Sequence, residues 1–453
     1  MGKDTTIGTQ RIASLFDAGT FAEIGAYIRR DDGKNAGVTC GYGAVNGRLV
    51  YAFAQDSDRE KGAFDAVQAK KLHALYETAL RNGAPVVGIF DSAGTYVTDG
   101  ASALAAYGSL LADISRASGV IPQIALIDGV CAGLAATAAA MFDLSVTVEG
   151  KSQLFVGAPF LVGREVGSAE YTAANGLASV VAADSAAATD TVRRLLSLLP
   201  QNCASLPEEL STDDPNRSVS PDGQPVRTVI GEVTDRGSFL EIGAAFGAGT
   251  VTGLATLGGY PCGVIASDAA ADGGVLTADG ARKAAKLISL CNCFGLAVLT
   301  LTDSEGVALN EKEESAPLAS ELGKLAMAYA SANVPKLTVI TGRAYGAAFT
   351  LLGSKALGAD LVYALPGATV SVMKPEAAVA FLWNGRITET TSRADLVKEW
   401  NETEATPVRA AEAGEIDDIV EPADLRKYLC AAVNMLLCKD EADLTRKHCN
   451  LPL

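Results

Sequence analysis

The chain repeats itself. Phe21-Ala-Glu-Ile-Gly-Ala returns as Phe239-Leu-Glu-Ile-Gly-Ala, and Gly47-Arg-Leu-Val-Tyr-Ala-Phe-Ala-Gln-Asp56 is echoed by Gly259-Tyr-Pro-Cys-Gly-Val-Ile-Ala-Ser-Asp268. Gly83-Ala-Pro-Val-Val-Gly-Ile-Phe-Asp-Ser-Ala-Gly94 returns as Gly295-Leu-Ala-Val-Leu-Thr-Leu-Thr-Asp-Ser-Glu-Gly306. Val120-Ile-Pro-Gln-Ile-Ala-Leu-Ile-Asp-Gly129 matches Val334-Pro-Lys-Leu-Thr-Val-Ile-Thr-Gly342. The order is kept and the copies lie about 210–220 residues apart, too long a period for a solenoid. Such a chain must fold as one domain built twice. Residues 200–225 are rich in Pro, Asp, Asn and Ser and poor in apolar periodicity, which reads as a connection. The expected domains are therefore 1–224 and 225–453.

Both copies share a grammar. A short apolar strand (86–90; 298–302) ends at an Asp-Ser-x-Gly turn, and an amphipathic helix follows (101–117; about 316–332). A second apolar strand (122–127; 336–340) runs into a small-residue turn and a helix (131–141; 345–357). Segments 72–82 and 281–293 supply a preceding helix. Strands alternating with helices imply crossover connections and an α/β class.

Charge narrows the partners. Fifty-three acidic against 37 basic residues leave a net charge of −16, which argues against nucleic acid or an anionic membrane as the main partner. The stretch 129–142 is short of the ~20 apolar residues of a membrane helix, and the N-terminus has no apolar signal region. Nine cysteines without zinc or thioredoxin spacing read as reduced thiols of a cytoplasmic protein. Only His73 and His448 are present, too few for a histidine-based triad or metal centre, so no metal is expected.

The chemistry gathers at the two small-residue turns, Gly129-Val-Cys-Ala-Gly-Leu-Ala-Ala and Gly342-Arg-Ala-Tyr-Gly-Ala-Ala-Phe. Each joins a buried strand to a helix start, where unpaired N–H groups and the helix dipole favour negative charge. Without bulky side chains a ligand oxygen can come close, so two such turns make two candidate oxyanion holes. Small residues also let a helix pack tightly on a strand, and that plainer reading stays open.

Several of these segments carry a family resemblance. Phe21-Ala-Glu-Ile, Gly41-Tyr-Gly-Ala-Val-Asn-Gly-Arg, Ala54-Gln-Asp, Asp91-Ser-Ala-Gly and Ala117-Ser-Gly-Val-Ile-Pro-Gln-Ile resemble the carboxyltransferase subunits of biotin-dependent acyl-CoA carboxylases and decarboxylases. So do Gly274-Val-Leu, Val334-Pro-Lys-Leu-Thr-Val-Ile-Thr and Gly353-Ser-Lys-Ala-Leu-Gly-Ala-Asp360. The resemblance spans nearly the whole chain. It implies a tandem duplication of a crotonase-like (ClpP/crotonase) α/β domain. It also implies an active site between the N-terminal domain of one subunit (acyl-CoA side) and the C-terminal domain of another (biotin side), within a hexamer. A carboxyl group would pass between biotin on a separate carrier protein and the α-carbon of an acyl-CoA, through a thioester enolate. The family's first turn steadies the enolate oxygen and its second holds the biotin ureido oxygen. The matching catalytic positions are Gly133 and Leu134, and Ala347 and Ala348. Ala93, Gly94, Cys131, Ala132, Tyr345, Gly346 and Thr350 are the accompanying substrate-binding positions. Biotin itself can move the proton, which suits a chain without an evident general base.

The resemblance has departures. Asp91-Ser-Ala-Gly-Thr-Tyr96 stands for the usual Asp-Ser-Gly-Gly-Ala-Arg, Gly133-Leu134 for Gly-Gly, Gly346-Ala347 for Gly-Gly, and Glu305-Gly-Val for Pro-Gly-Phe. The leucine N–H still donates provided its side chain points away. A carboxylase would need a biotin carboxylase partner and a decarboxylase a membrane subunit, and the sequence leaves both open. Two further readings remain: a non-catalytic paralogue that scaffolds such a complex, and a crotonase-type hydratase or hydrolase, which needs a carboxylate aimed at the α-carbon. Val372-Met-Lys-Pro375 is expected to be a surface turn rather than a biotin attachment site, and the acidic stretches at 303–306 and 311–315 a solvated face. Lys70, Lys71, Arg282 and Lys283 are candidate contacts for CoA phosphates, or simply an exposed helix face.

Overall fold

The computed structural model describes residues 6–30, 33–210, 213–315, 317–439, 441, 450 and 452; His448 and Ala316 lie outside them. The chain divides into two units, Met1–Pro207 and Glu208–Leu453. In the first, strands β1 (Ala22–Glu23), β2 (Val38–Val45), β3 (Arg48–Gln55), β4 (Val86–Ser92), β5 (Gln123–Ala132), β6 (Leu144–Val148), β7 (Gln153–Phe155) and β8 (Val180–Ala182) form one sheet in the order 1-2-3-4-5-6-8. β7 pairs with β5 off this path. The second unit repeats the plan with β9 (Leu240–Ile242), β10 (Thr250–Leu257), β11 (Tyr260–Ser267), β12 (Ala297–Ser304), β13 (Lys336–Tyr345), β14 (Leu361–Ala364), β15 (Thr369–Ser371) and β16 (Asp418–Ile419). Its order is 16-14-13-12-11-10-9, with β15 beside β13. Hairpins at one edge (β2–β3; β10–β11) lead into parallel strands joined by helical crossovers, as strand–helix alternation requires.

The crossover helices are those the periodicity marks. Ala66–Asn82 and Ala278–Cys293 start at side-chain caps, Asp65 accepting from Gln68 N–H and Thr277 from Gly280 N–H. Ala101–Ala117 and Leu318–Ser331 follow β4 and β12. Leu72, Leu75, Tyr76, Leu110 and Ile114 pack on Phe53, Val86 and Ile127 to make the first core. Leu299, Val339, Leu425 and Leu429 belong to the second.

Segment 213–224 is not a free connection. Val219 is buried in the second core. Arg426, fully buried in the helix Leu425–Leu436, donates to the Asp214 carbonyl at 3.0 Å and pairs with Asp235 at 2.6 Å. A buried guanidinium needs all these acceptors, so it draws polar residues that read as a linker into the second unit. The division falls at 207/208 rather than the expected 224/225.

Candidate active site

The two turns are built alike, and the strands set them up. β5 and β13 run beyond the strand ends expected at 127 and 340, because each slips register and changes partner. Ile127 still pairs with Phe90, yet the next rung on β4 is Ser92 with Cys131, and Val130, Cys131 and Ala132 ladder with β7. In the second unit Ser304 pairs with Ala344 after the slip, and Arg343, Ala344 and Tyr345 ladder with β15. Asp91 Oδ1 accepts the Val130 N–H at 3.1 Å beside the first slip, and Asp303 Oδ1 the Arg343 N–H at 2.9 Å beside the second.

Each strand then ends on a glycine in backbone space that other residues avoid. Gly133 has φ 61° and ψ −124°, and Gly346 φ 56° and ψ −135°. Their own N–H groups are taken: Gly133 donates to Phe155 O and Gly346 to Ser371 O, both at 2.9 Å. Gly133 is therefore the cap of the turn and not one of its donors. Ala136 N–H and Phe349 N–H close back on the Gly133 and Gly346 carbonyls. Among the described residues this leaves two N–H groups per turn without a protein partner, those of Leu134 and Ala135 and those of Ala347 and Ala348. The sequence reading missed Ala135. Aligning Gly133 with Gly346 puts Leu134-Ala135 opposite Ala347-Ala348 and would have found it. The helices that follow, Leu134–Ala140 and Ala347–Leu351, are much shorter than expected, so the free N–H groups matter more than any macrodipole.

The accompanying positions sort by geometry. Ala93 N–H is bonded to Lys61 O at 2.9 Å and Gly94 N–H to Ser92 Oγ at 3.1 Å, so neither donates to a ligand. Cys131 is wholly buried in the first core and burial pushes its thiol pKa up, which keeps its side chain from any substrate. Ala132 pairs with Phe155 on β7. Leu134 packs its side chain against the core, leaving its N–H clear. In the second unit Gly346 and Ala347 are shared by two adjoining clefts of about 830 and 900 Å³. Tyr345 lines the first and Thr350 the second. Tyr345 Oη and Thr369 Oγ1 are 3.0 Å apart.

Charges around the turns depart from expectation. The stretch at 303–306 is no solvated face: Arg343 Nε donates to Asp303 at 2.8 Å, and Glu305 is paired with both Arg343 and Lys374. The hydrogen bond from Lys374, with the Lys374 and Arg343 charges, holds Glu305 below the usual carboxylate range despite some burial. Glu313 is also buried and accepts the Ala278 N–H at 2.8 Å, which fastens the start of a crossover helix. Of the candidate phosphate contacts, Lys71 and Lys283 are buried. Lys71 donates to Val38 O and Lys283 to Gly243 O and Phe246 O. Arg282 pairs with Asp279 at 3.2 Å and lies over the Phe246 ring, while Lys70 is exposed.

A carboxyl transferase domain model matches residues 1–451. The chain belongs to the carboxyl transferase family. It is 34% identical to the carboxyltransferase subunit of propionyl-CoA carboxylase from Haloferax mediterranei, over 98% of this chain and 93% of that one. It is also 34% identical to the methylmalonyl-CoA decarboxylase α subunit of Propionigenium modestum, over 98% and 92%. The crystal structure of hexameric transcarboxylase 12S, with methylmalonyl-coenzyme A and methylmalonic acid bound, superposes with a TM-score of 0.93 at 31% identity, covering 98% of this chain and 92% of that one. The tandem crotonase-like fold implied by the sequence is thus the fold found. Among the described residues no helix is long and apolar enough to cross a membrane.

Proposed function

We propose that the chain transfers a carboxyl group between biotin, borne by a separate carrier protein, and the α-carbon of an acyl-CoA. The observation that carries this is the pair of unpartnered N–H groups in each unit, Leu134 with Ala135 and Ala347 with Ala348. Buried strands lead into both turns, so the donors are preorganised and cost little to reorient as charge develops. The first pair steadies the thioester enolate oxygen. The second holds the ureido oxygen of biotin, and the clefts flanking Gly346-Ala347 leave room for the ring. When bound, biotin would supply the ring nitrogen that carries the carboxyl group and an acceptor for the proton leaving the α-carbon, so no protein base is asked for. As the resemblance implies, the first unit of one subunit would face the second unit of another. A biotin carboxylase or a membrane decarboxylase subunit would complete the complex.

The rival hydratase or hydrolase needs a free carboxylate. Glu305 lines the cleft beside the second turn, but its two cationic partners hold it ionised and occupied, so it makes a poor base. The test is release of labelled CO2 from malonyl-CoA and methylmalonyl-CoA, with and without free biotin. Biotin-dependent release is expected. Turnover without biotin would sink the assignment, and no turnover with carrier supplied would favour the scaffold. Ala347→Pro refines it: Ala347 is exposed at the first helical position, where proline is tolerated, and the glycine before it has no Cβ to clash. Deleting that one donor should cost ~10²–10³-fold in kcat.

A further inference from the structure

We propose that Asp91 and Asp303 are positioning residues that hold the two donor turns in register. Asp91 lies in β4 and Asp303 in β12, beside the strands that carry the turns. Each carboxylate accepts the main-chain N–H of the residue that resumes the strand after its slip, Val130 at 3.1 Å and Arg343 at 2.9 Å. The backbone is pressed against it: a Cβ on Gly129 would lie 2.3 Å from Asp91 Oδ1, and one on Gly342 2.5 Å from Asp303 Cγ. From those braced N–H groups a short laddered run leads in both units to the free donors, Val130 to Leu134 and Arg343 to Ala347. A displaced brace would move the donors, and a small misplacement is costly where charge develops only in the transition state.

The surroundings of the two carboxylates have diverged while the brace has not. Asp91 is charge-paired with Arg11 at 2.8 Å, an arginine from the helix Ile7–Leu15 that also grips Asp128. Asp303 is paired with Arg343, on the braced residue itself. Two unrelated cations thus keep one acceptor in place. Asp303 is not among the residues lining the clefts at Gly346-Ala347, which makes its role positioning rather than contact with substrate.

This inference rests on the reading of the turns as oxyanion sites, and the test separates the two. Asp303→Leu keeps the shape and removes the acceptor, Asp303→Ala removes both, and Asp303→Asn keeps an oxygen for the Arg343 N–H. In biotin-dependent decarboxylation the Leu and Ala variants should lose ~10²-fold in kcat with the acyl-CoA KM within about threefold. The Asn variant should recover at least about tenfold of that loss, and Asp91 variants should behave in parallel. An Asn variant no better than Leu, or a folded Leu or Ala variant with full kcat, overturns the proposal. Failure of both Leu and Ala variants to fold overturns it in favour of a purely structural brace. If Ala347→Pro is also harmless, the oxyanion reading falls. If Ala347→Pro is crippling while Asp303→Ala is not, only the positioning role falls.

Discussion

Glycine serves opposite ends in this chain, and the contrast can be measured. Gly129 and Gly342 are needed because a carboxylate occupies the space of a Cβ, whereas Gly133 and Gly346 are needed for their positive φ. Gly108 has neither reason: it lies exposed within the helix Ala101–Ala117, with nothing within 4 Å of a Cβ. Gly108→Ala should therefore stabilise the protein by ~0.5–1 kcal/mol, since alanine is the better helix former. Gly129→Ala should destabilise it by about 2 kcal/mol or more, because Asp91 or the strand must shift. Urea unfolding of the two variants checks the signs, and a neutral Gly129→Ala would remove the packing argument. At this scale the sequence showed where the small residues are. It did not show which N–H groups are spent, because the Phe155 and Ser371 carbonyls that take them arrive from strands later in the chain.

Among the elements, the duplicated lysines changed meaning most. Helical spacing put Lys71 and Lys283 on candidate ligand faces, but packing turned both inward to bind carbonyls of preceding loops and strands. Burial pulls the Lys283 pKa down to about 8 from the ordinary 10.5, the Glu241 charge opposing only in part. A folded pKa below the unfolded one means that the unfolded chain binds more protons between these values. This group's contribution to stability therefore rises as pH climbs from about 8 towards 10.5 and is flat below 8. Between pH 7.5 and 9.5 the stability of the native protein should gain about 1–2 kcal/mol relative to Lys283→Met, read from urea unfolding at both pH values. A difference that is flat with pH would show Lys283 ordinarily solvated, and one that falls with pH would show its pKa raised by an anionic partner. Strand and helix cores were legible from periodicity, whereas the strand extensions to Ala132 and Tyr345 were not, since a change of pairing partner leaves no local pattern.

At the level of the whole molecule, each unit leaves an apolar segment uncovered just after the strand that supports its turn. Phe160 is 85% exposed, with Val156, Leu161 and Val162 beside it in sequence. Phe381 is 79% exposed, with Val372 and Leu382 nearby in the chain. Exposed patches of this kind mark interaction surfaces, and obligate interfaces resemble a domain core. We expect them to be covered by further copies of this chain. Light scattering should then give a multiple of 46.5 kDa, with a hexamer the expected size, and Phe160→Asp with Phe381→Asp should shift it towards smaller species. A stable native monomer at micromolar concentration would remove the subunit-boundary site.

What the sequence determined by itself was what is local or repeated: two copies of an α/β unit, the strand–helix order, and the glycine turns that no bulkier residue could form. Its likeness to the carboxyltransferases rested on the same short segments. The tertiary structure alone decided which residues fill the remaining roles. Arg426 draws the apparent linker into the second unit, Asp91 and Asp303 brace the strand slips, and Glu305 is bound by two cations instead of solvated. The physical reason is common to all three. A buried charge or N–H must find its partner wherever the fold brings one within about 3 Å, and sequence distance carries no trace of that meeting.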